Sequence, residues 1–301
     1  MLKRRAVFGV TCVAMMIAML ATLGFAGSAS AKLVNEFTKF KFCPYTTAGV
    51  ERCVYSVTEG GAVTLGNKTV PIVNPVTLQG GYTEQAVEGP EEGFAKFVEA
   101  TNGVTLEKVP QPVPGGLLGL VPPEGAPLLV KAALKLAVEN GLTGVDTTLE
   151  LARPASEIRI NEVHLSEGVG VALVLPVKVH LENPFLGSSC YLGSSAKPII
   201  WELTSGATSP SGPNESISGK VGFPEFLEEG RIIRLDENVI VDNAWGAPAA
   251  SGCGGLLSAL VDPIIALQLG STEAGHNTAI MENTIYEASA FAVKKNDENN
   301  P

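Results

Sequence analysis

Three histidines, five cysteines and a scatter of carboxylates are the groups with which this chain could do chemistry. The stretch that first invites a catalytic reading is "NPFLGSSCYLGSS", Asn183 to Ser195, where Cys190 stands among serines and glycines as a nucleophile would. A hydrolase needs a nucleophile, a base and an acid that orients the base. No GxSxG turn forms here, because Tyr191 occupies the position two after Ser189 where that turn requires glycine. The cysteine and glycine that precede a papain-type nucleophile are missing too.

The available bases are His164, His180 and His276. His180 falls on the polar side of an alternating stretch, beside Lys178 and Glu182, where solvation accounts for it. His276 lies in the turn-like "EAGHNTA". His164 follows Glu162 at a spacing that would put both on one strand face; a metal could begin there, but no third ligand completes the set. Asp236, Glu237, Asn238, Asp242 and Asn243 are oxygen donors suited to calcium, at a spacing that fits no EF-hand loop. The glycine pairs at 60–61, 80–81 and 254–255 lack the lysine and the strand-to-helix context of a phosphate loop. No catalytic, cofactor-binding or metal-binding residue is therefore assigned. Asn67-Lys68-Thr69 and Asn214-Glu215-Ser216 match glycosylation acceptors.

Cys43, Cys53, Cys190 and Cys253 read better as disulfides. The N-terminus has the layout of a secretory signal: Lys3, Arg4 and Arg5, an uncharged stretch from Ala6 to Phe25, and the small residues Ala29-Ser30-Ala31. Cleavage is expected after Ala31, with a secreted or extracellular destination. An even number of cysteines in an exported chain implies bridges. Proximity pairs Cys43 with Cys53 and leaves Cys190 with Cys253, worth about 3 and about 4 kcal/mol by loop entropy. No CxxC pair supports redox chemistry or structural zinc.

Losing the signal removes three positive charges and no negative ones, which takes the net charge from −10 to −13. That argues against a nucleic-acid partner.

The elements that must hold these residues are mostly strands. From Val171 to Leu181 every odd residue is apolar, while Lys178, His180 and Glu182 are polar, so a long strand with one buried face is expected. Pro176 on that strand predicts an edge position or a bulge. Shorter alternations put Leu149 with Leu151, Ile199 with Trp201 and Leu203, and Ile233 and Leu235 with Val239 and Val241. "KFKFC", "CVYSV", "AVTLG" and "VNPVTLQGG" read as further strands, bounded by Gly, Pro and Asn.

Two segments, 127–139 and 256–268, carry only a thin polar stripe and read as apolar helices buried on most sides. Pro127 and Asn140-Gly141 fit the ends of the first, and Pro263 should break or kink the second. The expected fold is mainly β: an antiparallel sandwich-like domain with two apolar helices packed on it and two disulfides. Its plan is a signal peptide (1–31), an N-terminal β region (32–84), a Pro/Gly-rich connection with one apolar helix (85–145), a main β region with a C-terminal helix and strand (146–291) and a disordered tail (292–301).

These features suggest a secreted, non-enzymatic extracellular or cell-envelope protein with a binding or structural role, its partners being cell-envelope components or an apolar ligand. One alternative is a carrier of an apolar ligand or lipid through helices 127–139 and 256–268; another is an exported hydrolase with an unrecognised site. A membrane β-barrel is disfavoured by an aromatic content of 6%.

Overall fold

The structure, a computed structural model, describes residues 32–86, 92–116, 127–140 and 143–300. The expected signal peptide and its cleavage point lie outside these residues, as does much of the Pro/Gly-rich connection. The elements are, in chain order, a 3-10 turn (Asn35–Phe40), β1 (Arg52–Leu65), β2 (Lys68–Pro71), β3 (Val76–Tyr82), β4 (Ala95–Val98), β5 (Pro110–Pro112) and α1 (Leu128–Glu139). There follow β6 (Asp146–Leu151), β7 (Arg159–Ile160), α2 (Glu162–Glu167), β8 (Leu173–Glu182), β9 (Tyr191–Leu192) and β10 (Ile199–Leu203). The chain closes with β11 (Phe223–Leu227), β12 (Ile232–Asp242), β13 (Ala250–Ser251), α3 (Ser258–Leu269), β14 (Thr278–Ser289) and α4 (Ala290–Asn299).

The fold is mainly antiparallel β and sandwich-like, and contacts gather Lys32–Pro301 into one unit. One sheet runs β11-β12-β14-β1-β3, with β2 folded back on β1. The other is built on β8, which pairs with β6 and β7 along one edge and with β9 and β10 along the other. Strand β4 bridges β3 to β7 and so makes the two sheets continuous on one side. On the opposite side Thr204, just past β10, exchanges two backbone hydrogen bonds with Val241 of β12, at 2.9 and 2.8 Å. The space between the sheets is thus hydrogen-bonded along both flanks.

The long alternation from Val171 produces β8 as expected, but β8 is central, not an edge, and it carries no bulge at Pro176. In an antiparallel strand one residue's N and O face the same neighbour. The Pro176 carbonyl accepts from Ala152 N at 3.0 Å, so the missing N–H faces the place where β8's partner changes from β7 to β6. The ladder has a gap there already.

Both disulfides form as paired from the sequence, Cys43–Cys53 and Cys190–Cys253. The second ties the loop after β8 to the entrance of α3. Asp262, the one acid in that apolar helix, reaches back to accept from Gly252 N (3.1 Å) and Cys253 N (2.8 Å). Helix α3 buries Val261, Ile265 and Leu269 and carries Pro263 within it without a break.

Five local expectations need correction. "KFKFC" is no strand: Phe37 and Phe40, three apart, are both buried by the 3-10 turn, whose period brings i and i+3 onto one side. Residues 233–241 do not keep one parity, because a bulge between Leu235 and Asn238 sets Asp236 and Glu237 against the single residue Thr284 of β14. Leu235 faces the core before the bulge and Ile240 after it. His164 lies on a helix, capped by Asn161, whose side chain accepts from His164 N at 3.0 Å.

The expected disordered tail is α4. Ser289 caps it, Val293 is buried, and Asn296 and Asp297 accept from Val34 N and Lys32 N at 3.0 and 2.9 Å. Finally, α1 is not buried on most sides, since Leu128, Leu129 and Leu136 are 86, 57 and 59% exposed.

Candidate binding cavity

Between the inner faces of the two sheets lies a partly open cavity of about 170 Å³. Its walls come from β1, β2, β3, β5, β6, β8, β9, β10, β12, β14 and α3. Leu149, Val179 and Leu192 face each other in register across β6, β8 and β9 and make one row of the wall. Lys68 and Val70 alternate along β2, with Ile72 just past it, and Leu173, Leu175, Val179 and Leu181 lie along β8.

Strand β1 contributes on both sides of a bulge that reverses its parity. Ser56 and Thr58 line the cavity before it, Val63 and Leu65 after it. Gly61 makes this possible: its φ is +97°, and a Cβ there would stand 2.1 Å from the Ile280 carbonyl oxygen.

The cavity inverts the ordinary burial pattern. On β3 the polar Thr77 and Gln79 are buried, while the apolar Val76 and Leu78 between them are only partly so. Segment 104–107 covers the polar side, through Gln79 Nε2 to Val104 O (3.0 Å) and backbone bonds from Gln79 N to Thr105 O and Glu107 N to Thr77 O, both 2.8 Å. On β6, Thr148 and Glu150 are buried while Leu149 is only half-buried. Apolar side chains that face inward yet keep accessible surface line the cavity.

Among the described residues Lys68 is the only charged one of the wall. Both tryptophans of the chain, Trp201 and Trp245, line it as an edge-to-face pair with ring centroids 5.7 Å apart. Thr58 and Asn283, opposite each other across β1 and β14, form a small polar patch. Gln111 is committed elsewhere: its side chain receives Val73 N and Asn74 N, both at 2.9 Å, and donates to Asn74 O at 2.8 Å.

The residues singled out by type go elsewhere. His164 Nδ1 meets Val171 O at 2.8 Å and its ring abuts Phe94, while Glu162 pairs with Arg52 at 3.7 Å. Two residues apart on a helix, they point away from each other. His180 is less solvated than its neighbours suggested. Its ring stacks on Tyr191 at 4.4 Å, with Glu182 and Glu150 at 3.5 and 3.9 Å. Burial pushes the Glu150 carboxyl up, but Lys108 and Lys178, at 3.1 and 3.2 Å, outweigh it and hold it below the usual range. His276 is exposed.

The calcium-type donors disperse: Asp236 to Arg234, Glu237 to Lys220, Asn238 to Asn283, Asp242 to the Glu202 and Ala244 amides, and Asn243 to Glu215 O. The Asn214 amide donates to Asn243 O and Asn277 O, at 2.9 and 3.0 Å, whereas Asn67 sits exposed in the turn between β1 and β2.

Sequence reasoning missed one cluster. Arg52 lies 3.2 Å from Glu287 and 3.7 Å from Glu162, and the Tyr82 hydroxyl is buried beside both carboxylates. Burial first, and then Glu162, push the Glu287 carboxyl up to about 7 against the pull of Arg52. The four residues come from β1, β3, α2 and β14, and no spacing announces them.

No family model, curated protein or solved structure matches this chain. Among the described residues no helix is long and apolar enough to cross a membrane.

Proposed function

We propose that this protein binds and carries an apolar small molecule, a lipid or a comparable hydrocarbon-rich compound, outside the cell. The observation that carries the reading is the cavity itself, whose walls are Val, Leu and Ile side chains kept partly accessible by the fold. Ligand pockets are concave and mostly apolar with a few polar groups, and this one has that make-up. A ligand that filled it would take this apolar surface out of contact with water. Two disulfides suit an extracellular setting, and the N-terminal signal layout supplies the route there. The leucines that α1 exposes, with Leu256 and Leu267 near α3, offer an apolar surface for approaching a membrane or a lipid aggregate.

The test is a titration of the protein, purified without its first 31 residues, with an environment-sensitive alkyl dye. Saturable binding at one site, displaced by unlabelled acyl, terpenoid or sterol compounds, is expected. Failure of the dye and all three classes to bind saturably would remove the proposal.

A further inference from the structure

The single charge on the cavity wall says more about the ligand than the aliphatic residues do. Lys68 opens β2, directly after the two-residue turn Gly66-Asn67. In the β1–β2 ladder Lys68 stands opposite Leu65 and Val70 opposite Val63, while Thr69 stands opposite Thr64. Directly opposite residues send their side chains to the same face of a sheet. Leu65, Val63 and Val70 line the cavity, and the Thr64 and Thr69 hydroxyls meet 2.9 Å apart on the exposed face. Lys68 therefore leaves the hairpin on the cavity side, where it is half-buried, although open solvent was available on the other.

The hairpin tip is also held in place. Asn67 N donates to Leu269 O at 2.7 Å and Gly66 N to Asn277 Oδ1 at 3.0 Å, which fastens the turn against the C-terminal end of α3. Lys68 thus sits at the end of the β1 wall, which extends from Ser56 to Leu65 over roughly 25–30 Å of strand. A cavity of about 170 Å³ lined over such a length suits one chain laid along the strands. The protein as a whole is acidic, with a net charge of −10, yet the charge it turns onto this wall is positive. Among the described residues, no carboxylate or other side chain makes an ion pair or hydrogen bond with the Lys68 ammonium.

We infer that the ligand is a single-chain amphiphile with a monoanionic head, in its simplest form a fatty carboxylate, whose head pairs with Lys68 while its hydrocarbon chain lies along the aliphatic walls. This rests on the binding reading above and specifies its chemistry. One cation matches one negative charge; a doubly charged head would leave a charge unmet beside apolar walls. A cationic head is opposed by Lys68 directly.

The protein is titrated by calorimetry at neutral pH and constant ionic strength with decanoate, methyl decanoate and decyltrimethylammonium, which share a ten-carbon chain and differ at the head. Decanoate should bind about tenfold more tightly than its methyl ester, the worth of one hydrogen bond to a charged group, and the ammonium compound should bind most weakly. Lys68→Met should bring decanoate and the ester to near parity, and Lys68→Arg should keep the preference for decanoate.

If decanoate and the ester bind the wild-type protein equally, or the ammonium compound binds best, the head-group inference fails and the apolar-binding reading stands. A preference for decanoate that survives in Lys68→Met places the anion elsewhere and overturns the assignment to Lys68. If no probe binds, the binding reading itself fails. Should Lys68→Met not fold, the wild-type ranking and Lys68→Gln still decide, since glutamine keeps a polar side chain on the hairpin and removes only the charge.

Discussion

Val177 and Val179 share one face of β8, two residues apart, and the same substitution should treat them oppositely. Val177 is fully buried in packed core and does not reach the cavity, whereas Val179 is half-buried on the cavity wall between Leu149 and Leu192. Val177→Phe forces extra carbons into filled space, which costs about 1–3 kcal/mol. Val179→Phe sends the same carbons into a void of about 170 Å³, where each buried carbon gains up to ~0.8 kcal/mol and little needs to move. The two variants should therefore differ by about 2 kcal/mol or more, or roughly 4–8 °C in Tm for a chain of this size. Urea unfolding followed by circular dichroism gives the difference directly, provided the slopes m agree. Val179→Phe should also weaken alkyl-dye binding at least tenfold. Equal destabilisation by both variants, or full dye binding by Val179→Phe, refutes the reasoning, because the space at Val179 would then be ordinary core.

Replacing Cys190 and Cys253 together by serine should lower stability by ~4 kcal/mol, and Cys43 with Cys53 by ~3, read as shifts of the urea midpoint without reductant. Glu287, with a native pKa of about 7 against an unfolded value near 4.5, binds its proton in the native state after the unfolded chain has released it. Its contribution is complete below about pH 4.5 and is lost as pH rises through 7. The loss amounts to up to ~3 kcal/mol. Glu287→Gln should flatten that part of the stability profile, and an unchanged profile would count against the assignment. Asn277→Ala leaves Gly66 N and three carbonyls short of a buried partner and should cost ~3 kcal/mol by denaturant titration. Replacing Leu128, Leu129 and Leu136 by serine should leave dye binding in solution intact and slow ligand transfer from vesicles, measured by stopped-flow fluorescence.

The strand periodicity and the cysteine pairing were legible in the sequence because each rests on a rule that needs no partner from afar. Val171 to Leu181 alternate whatever they pack against, and four cysteines in an exported chain have few ways to pair. Helix α2 was legible in principle, since Asn161 is a capping residue and Gly168 a left-handed stop, but the local alternation of apolar and polar residues masked both. The parity change at Asp236-Glu237 was not, because a bulge is fixed by the neighbouring strand.

The cavity was least legible of all. Val76, Leu78, Leu149 and Val179 have the pattern of core residues, and only the distance between two sheets decides whether they touch one another or a ligand. Nor could the meeting of Trp201 with Trp245, on separate segments of the chain, be read from spacing.

The most direct test of apolar-ligand binding is a crystal structure of the protein soaked or co-crystallised with a bromine-labelled single-chain amphiphile. An anomalous bromine peak between the sheets, within reach of Val76, Leu149 and Val179, is the expected result. A bromine peak confined to the outer surface, at the exposed leucines of α1 or elsewhere, with water filling the space between the sheets, would contradict it.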